Sequence, residues 1–381
     1  MKRPRNPFRR LKPSQVIVFL LAMGMGGIFG HLLARAGDAL RPPGSPLILY
    51  LAGLLLILLA VFYVQIILHE AGHLVFGLLT GYRFSSFRIA SFVWIKTPQG
   101  IRLKRLSLAG TAGQCLMLPP EHWDDTTPQL LYHLGGSLMN AITALVCFLL
   151  SRVVSHPAVS DLLLLSALIG LFLALTNGIP LRLGMIDNDG RNALSLRNDP
   201  VSRRALLIQL EIAGQTAQGV RLKDMPEDWF RLPTQEGPGN GLTAAIQVFA
   251  CNRLVDAHAF SQAEEAISAL LTSGQPLPGL YRCLLRCDLV CCQLLLGSHP
   301  NPAAQLDEQQ QRSFMKSMKA YPSVLRTQYF CALLAEKDEE AAAAIRQRFQ
   351  KTARSYPYPG EITSEEELMA FADEKRKDTL V

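Results

Sequence analysis

His69, Glu70 and His73 stand together in "VFYVQIILHEAGHLVFGLLTGY", a stretch otherwise apolar enough to lie in lipid. Their spacing is HExxH. On a helix, residues four apart share a face, so both imidazoles reach one metal ion with the glutamate beside it. Zinc takes neutral imidazole well, and a catalytic zinc site keeps three protein ligands plus a water. The metal lowers the pKa of that water toward neutrality, which makes hydroxide available for attack on a carbonyl. Glu70 would take the proton and return it to a leaving amine. The bland alternative is two polar helix residues turned inward onto neighbours. The apolar setting argues against it, because ionisable groups inside a membrane are costly and mark functional sites.

Such a site needs a third ligand on the same side of the bilayer. The chain offers Asp187 and Asp189 in "MIDNDG", just past its last long apolar run. Asp189 is the expected ligand, because Gly190 lets the backbone turn sharply and aim the carboxylate back at the helix end. Asp187 is the alternative. "NDG" is also ordinary turn chemistry. The echo of a calcium loop fails for want of the first acid and the downstream glutamate.

The elements that must position these groups follow from hydropathy. A chain of 381 residues, 49% hydrophobic and apolar in long blocks, is no ordinary soluble protein. Four runs approach or exceed the length that crosses a bilayer: about Val16–Leu33, Pro46–Leu68 (continuing to Tyr82), Leu130–Leu150 and Leu162–Pro180. The net charge of +7 is uneven. Lys2, Arg3, Arg5, Arg9, Arg10 and Lys12 crowd the N-terminus, and Arg83, Arg88, Lys96, Arg102, Lys104 and Arg105 follow the second run. By the positive-inside rule the N-terminus, residues 83–129 and everything after Arg182 face the cytoplasm, with His69 at the cytoplasmic end of its span. No acid-free basic stretch with interleaved aromatics appears, so the charge reads as topology and headgroup contact rather than nucleic-acid binding. Residues 1–36 lack a small-residue cleavage site and read as a retained span, packed through Gly26 and Gly30.

The expected fold is mainly α: a polytopic membrane helix bundle of about four spans and an all-helical, tetratricopeptide-like cytosolic C-terminal domain. A cytoplasmic β-hairpin or small sheet fills residues 83–129, from pieces such as "FRIASFVWIKTP" and "IRLKRLSLAG". The divisions are residues 1–45, a basic N-terminus and first span; 46–200, the membrane core; 201–240, a linker; 241–355, the helical domain; and 356–381, a polar tail. The tail carries a capping box at Ser364 and Glu367 and a short, loosely held helix. The chain has eight cysteines. Cys283, Cys287, Cys291 and Cys292 lack an accompanying histidine and read as small core residues rather than metal ligands.

HExxH on a membrane helix, Gly136 and Asn140 on a later span, and Asn177, Pro180 and Asp189–Gly190 at the end of the next form one set. It resembles the site-2 protease family of intramembrane zinc metalloproteases, over about residues 46–200. The resemblance implies cleavage of transmembrane or membrane-proximal segments of a membrane-protein substrate, near the cytoplasmic face. By it His69, His73 and Asp189 bind Zn2+, Glu70 is the catalytic glutamate, and Gly136, Asn140 and Asn177 position substrate. Asn140 has a bland reading as well, an interhelical hydrogen bond. Two departures stand out. Ser137 occupies the family's proline position, and Pro180 to Asp189 is longer than its spacing. PDZ and nucleotide-sensing domains are absent, so the expectation is a divergent bacterial-type member, multi-pass in the cell membrane with both termini cytoplasmic. The C-terminal helices would meet a protein partner, since solenoid-like helices offer a concave face. Two other readings are an inactive relative serving as a membrane adaptor, and a membrane-anchored zincin working in the cytosol. The intact set His69, Glu70, His73 and Asp189 opposes the first, and the apolar flanks "VQIIL" and "LVFGLL" oppose the second. His31 and His133 read as interfacial.

Overall fold

The computed structural model describes residues 46–108, 111–124, 126–183, 186–196, 199–232 and 239–380, with 20, 23, 24, 26–28 and 30; at 182–183, 186–187 and 379–380 it describes the backbone alone. Among the described residues three helices are long and apolar enough to cross a membrane: α1 (Leu47–Leu79), α2 (Leu130–Val153) and α3 (Pro157–Gly178). The fourth predicted span, Val16–Leu33, lies outside the described residues apart from isolated helical positions between Leu20 and Gly30. The expected packing through Gly26 and Gly30 belongs to that span.

The chemistry-bearing helix α1 has 33 residues. At 1.5 Å per residue it measures about 50 Å, well beyond the ~30 Å of a hydrocarbon core. Its outward side chains are mainly aliphatic, with Ile48, Leu56 and Leu79 mostly exposed, a surface suited to hydrocarbon. Pro157 opens α3 at its first turn, where a missing N–H costs nothing. The helix stops at Gly178 because Ile179, preceding Pro180, is held extended. Contacts group the described chain into two units. The first holds α1 to Gly72, residues 134–182 and 188–191; the second holds the remainder from His73 onward.

In the first unit α1 and α2 touch backbone to backbone. A Cβ at Gly72 would lie 2.3 Å from the Gly135 carbonyl oxygen, so only glycine fits.

In the second unit, strands β1 (Arg83–Ile89), β2 (Phe92–Thr97), β3 (Gly100–Arg105) and β4 (Gly113–Leu118) form an antiparallel sheet in the order β3-β2-β1-β4. Gly100, at φ +100°, takes the left-handed position that closes the tight β2–β3 turn. Strict alternation sends Val93 and Ile95 inward and Phe92 and Trp94 outward. The inward pair joins a core with Val248, Leu285, Leu325 and Phe330 of the C-terminal helices. The sheet therefore shares its core with the C-terminal part of the chain.

That part is a run of helices. A short α4 (Asp189–Leu196) and α5 (Pro200–Ala217) precede α6 (Gly241–Asp256), α7 (Phe260–Thr272), α8 (Gly279–Leu296), α9 (Gln309–Ser317), α10 (Pro322–Phe330), α11 (Glu339–Ala353) and α12 (Pro359–Leu380). Neighbours pack in sequence: α6 on α7, α7 on α8, α10 on α11 and on α12. Two expectations need correction here. Residues 201–240 are not simply a linker, since α5 buries Leu206, Leu207, Ile208, Leu210 and Ile212. The tail is not loose either: α12 runs 22 residues and buries Leu368, Met369 and Ala372. The supposed capping box at Ser364 and Glu367 is interior to α12, and Glu367 instead accepts from Arg221 Nη1 at 2.6 Å. Arg326, almost wholly buried on α10, holds Asp288 of α8 at 2.5 Å and Glu365 of α12 at 2.7 Å. A buried cation needs such pairing, and the pairing fixes the three helices in register.

Cys283, Cys287, Cys291 and Cys292 are all buried, as small core residues should be. Burial pushes their thiols up and that of Cys251 up to about 12. They remain protonated, unreactive thiols at neutral pH.

Candidate metal centre

His69 and His73 sit one turn apart on α1, and both are buried. Asp189 opens α4, 120 positions along the chain from His69, yet its Oδ2 lies 3.0 Å from His69 Nε2. His69, His73 and Asp189 each offer one ligand atom, all within 4.8 Å of one another. Among the described residues no other His, Cys, Asp and Glu group could hold a metal ion. Ligand atoms about 2.0–2.1 Å from a tetrahedral zinc lie about 3.3 Å apart. The His69–Asp189 pair, at 3.0 Å, is near that separation, and 4.8 Å bounds the other two pairs.

The donor chemistry fits a cation. His73 Nδ1 is 2.7 Å from the Tyr132 carbonyl oxygen, which can only accept, so Nδ1 carries the proton and Nε2 is left as the ligand atom. Tyr132 is itself anchored. Its hydroxyl donates to the Cys115 carbonyl of β4 at 2.9 Å, and its ring stacks on Tyr82 at 5.1 Å. The sheet thus steadies the backbone oxygen that orients His73. His69 Nδ1 lies 2.7 Å from Asn140 Oδ1 on α2. Glu70, next to His69, is buried as well.

Asp189 is delivered by its neighbour. Asn188 is buried and uses every polar atom of its amide. Its Nδ2 donates to Thr176 O at 2.7 Å and Ile179 O at 2.6 Å, the last carbonyls of α3. Its Oδ1 accepts from Leu181 N and Arg191 N, each at 2.9 Å, and the second bond caps α4. The long stretch from Pro180 to Asp189 is absorbed by two short paired strands, β5 (Arg182–Leu183) and β6 (Ile186–Asp187). Asn188, next in the chain, bonds back to the end of α3.

Gly190 matters for a reason other than the expected one. It is not among the positive-φ glycines, so no sharp turn requires it. A Cβ there would lie 2.1 Å from the Gly178 carbonyl oxygen and 3.0 Å from that of Asn177. Glycine lets α4 start against the end of α3. Gly190→Ala should therefore shift the backbone beside Asp189, at a cost of about 1–3 kcal/mol in stability. The expected reading is at least tenfold weaker metal binding, measured by chelator competition.

The remaining expected site residues are placed as follows. Asn140 is fully buried and meets His69. Gly136 is buried within α2, and its neighbour Gly135 makes the close approach to α1. Asn177 donates to Leu173 O of its own helix at 3.0 Å, so that amide N–H is engaged within α3. The side chain of Asp187 lies outside the described residues. His133 is buried beside Tyr132, rings 5.3 Å apart. Sequence reasoning missed Gln65, Tyr132 and Asn188. Gln65 was findable, since it precedes His69 by one helical turn on the same face. No family model matches the chain, and neither a curated protein nor a solved structure does.

Proposed function

We propose that this protein is an intramembrane zinc metalloprotease of the site-2 type, cutting transmembrane or membrane-proximal segments of protein substrates near the cytoplasmic face. One observation carries the reading: His69, His73 and Asp189 converge, two from an apolar helix and one from a loop returned to it. Three buried ionisable groups on a helix built for lipid, His69, Glu70 and His73, imply use, because their burial has a standing cost. Two imidazoles and a carboxylate suit zinc. Bound there, zinc would supply Lewis acidity and an acidified water.

The chain's own residues do the rest. His69, His73 and Asp189 would hold the ion. The Glu70 carboxylate takes a proton from the attacking water and gives it to the amide nitrogen that leaves. The aliphatic faces of α1, α2 and α3 suit lateral entry of a substrate helix from lipid. The basic residues Arg83, Arg88, Lys96, Arg102, Lys104 and Arg105 support a cytoplasmic side for the sheet and the helices that share its core. Those helices are the part proposed to meet a protein partner. Truncating them would uncover Val93 and Ile95, so surface substitutions are the better probe of that role.

The test is cleavage by the purified full chain in detergent or liposomes, offered a panel of single-span substrates. Cuts within or beside the span are expected, stopped by 1,10-phenanthroline and restored by added zinc. Cleavage indifferent to chelation would contradict the proposal.

A further inference from the structure

The apolar bundle buries a second polar device beside His69. Asn140 and Gln65 are both 0% exposed, on helices whose exposed side chains are mainly aliphatic. Unpaired amides would be costly there, yet these are joined end to end. Gln65 Nε2 donates to Ser166 O and Oγ of α3, each at 3.0 Å. Asn140 Nδ2 donates to Gln65 O at 3.0 Å and to Gln65 Oε1 at 2.9 Å. Asn140 Oδ1 then faces His69 Nδ1 at 2.7 Å.

The direction of this chain is forced. The backbone oxygens of Ser166 and Gln65 can only accept, so each amide must turn its NH2 toward them. Flipping Asn140 would set its oxygen against two other acceptors. Its Oδ1 is therefore fixed toward His69, which must donate from Nδ1.

We infer that Gln65 and Asn140 are positioning residues that hold His69 in the Nδ1–H tautomer with its Nε2 lone pair directed at the metal position. The inference rests on the proposed metal centre and gives Asn140 a role other than substrate contact. Gln65 acts only through Asn140, and Ser166 supplies the terminal acceptor. The chain also crosses all three helices, so the ring orientation of a ligand on α1 is set from α2 and α3. Neutral hydrogen-bond partners of ligating histidines typically govern 10–100-fold in metal affinity.

The experiment measures Zn2+ affinity of the purified full chain by chelator competition, with the absorption of the Co2+-loaded protein as a second reading. Thermal unfolding of the metal-free protein monitors folding. Asn140→Leu and Gln65→Met are expected to weaken binding 10–100-fold, and the double variant no more than Asn140→Leu alone. Asn140→Asp, which keeps an acceptor for His69, should recover most of the affinity even if Gln65→Met folds poorly. Ser166→Ala should stay within about threefold of wild type, since the backbone acceptor remains. Wild-type affinity in Asn140→Leu, additive losses in the double variant, or an Asn140→Asp as weak as Asn140→Leu would overturn the inference. A wild-type chain that binds no metal would instead overturn the proposed function beneath it.

Discussion

Glu70→Gln is expected to keep one zinc per chain and lose cleavage by at least two to four orders of magnitude, the span that general acid–base catalysis commonly supplies. Glutamine has the same shape and is buried as readily, but it cannot take a proton from water. The proposed metal ligands are His69, His73 and Asp189, so occupancy should not move. Parallel assays of zinc content and turnover decide the matter. Zinc lost together with activity would make Glu70 a structural or ligating residue. Activity retained would remove it from the chemistry.

Asp189→Asn carries the second large effect. It replaces the proposed anionic ligand, 3.0 Å from His69 Nε2, by a neutral amide. The loss in zinc affinity should exceed the 10–100-fold that follows removal of a mere hydrogen-bond partner of a ligand. Asp187→Asn should leave affinity near wild type. Isothermal or chelator-competition titration of both variants gives the ranking, and the reverse order would assign the third ligand to Asp187.

How much of this could be read from residues alone depends on the distance over which each signal acts. HExxH in an apolar helix is local, and the structure keeps both histidines and the glutamate buried on α1. Asp189 was reachable by sidedness: the last span must bring its following loop back to the same face. The reason assigned to Gly190 did not hold, because a close backbone approach between α3 and α4 leaves no mark in sequence beyond the glycine itself. β2 and β3 announced themselves by alternation and a "PQG" turn. β4, "GQCLML", has no β-branched residue and starts on glycine, so only its pairing with β1 makes it a strand. In α12 the stripe Ile362, Leu368, Met369 and Ala372 is diluted by ten charged residues, three of which, Glu365, Glu367 and Asp373, pair with arginines elsewhere in the chain. Such pairing is a tertiary fact. Asn188 looked like turn chemistry and is a clamp on the last carbonyls of α3. Gln65 and Asn140 stood in view as lone amides on apolar runs, but their connection spans 75 positions.

The most direct measurement is the metal content of the purified protein, wild type against His73→Ala, by elemental analysis after exhaustive dialysis. One tightly held zinc per wild-type chain, absent from the alanine variant while the fold survives, is the expected result. A wild-type chain free of metal, or a His73→Ala chain that holds as much, would mean that the buried imidazoles and carboxylate serve something other than a cation.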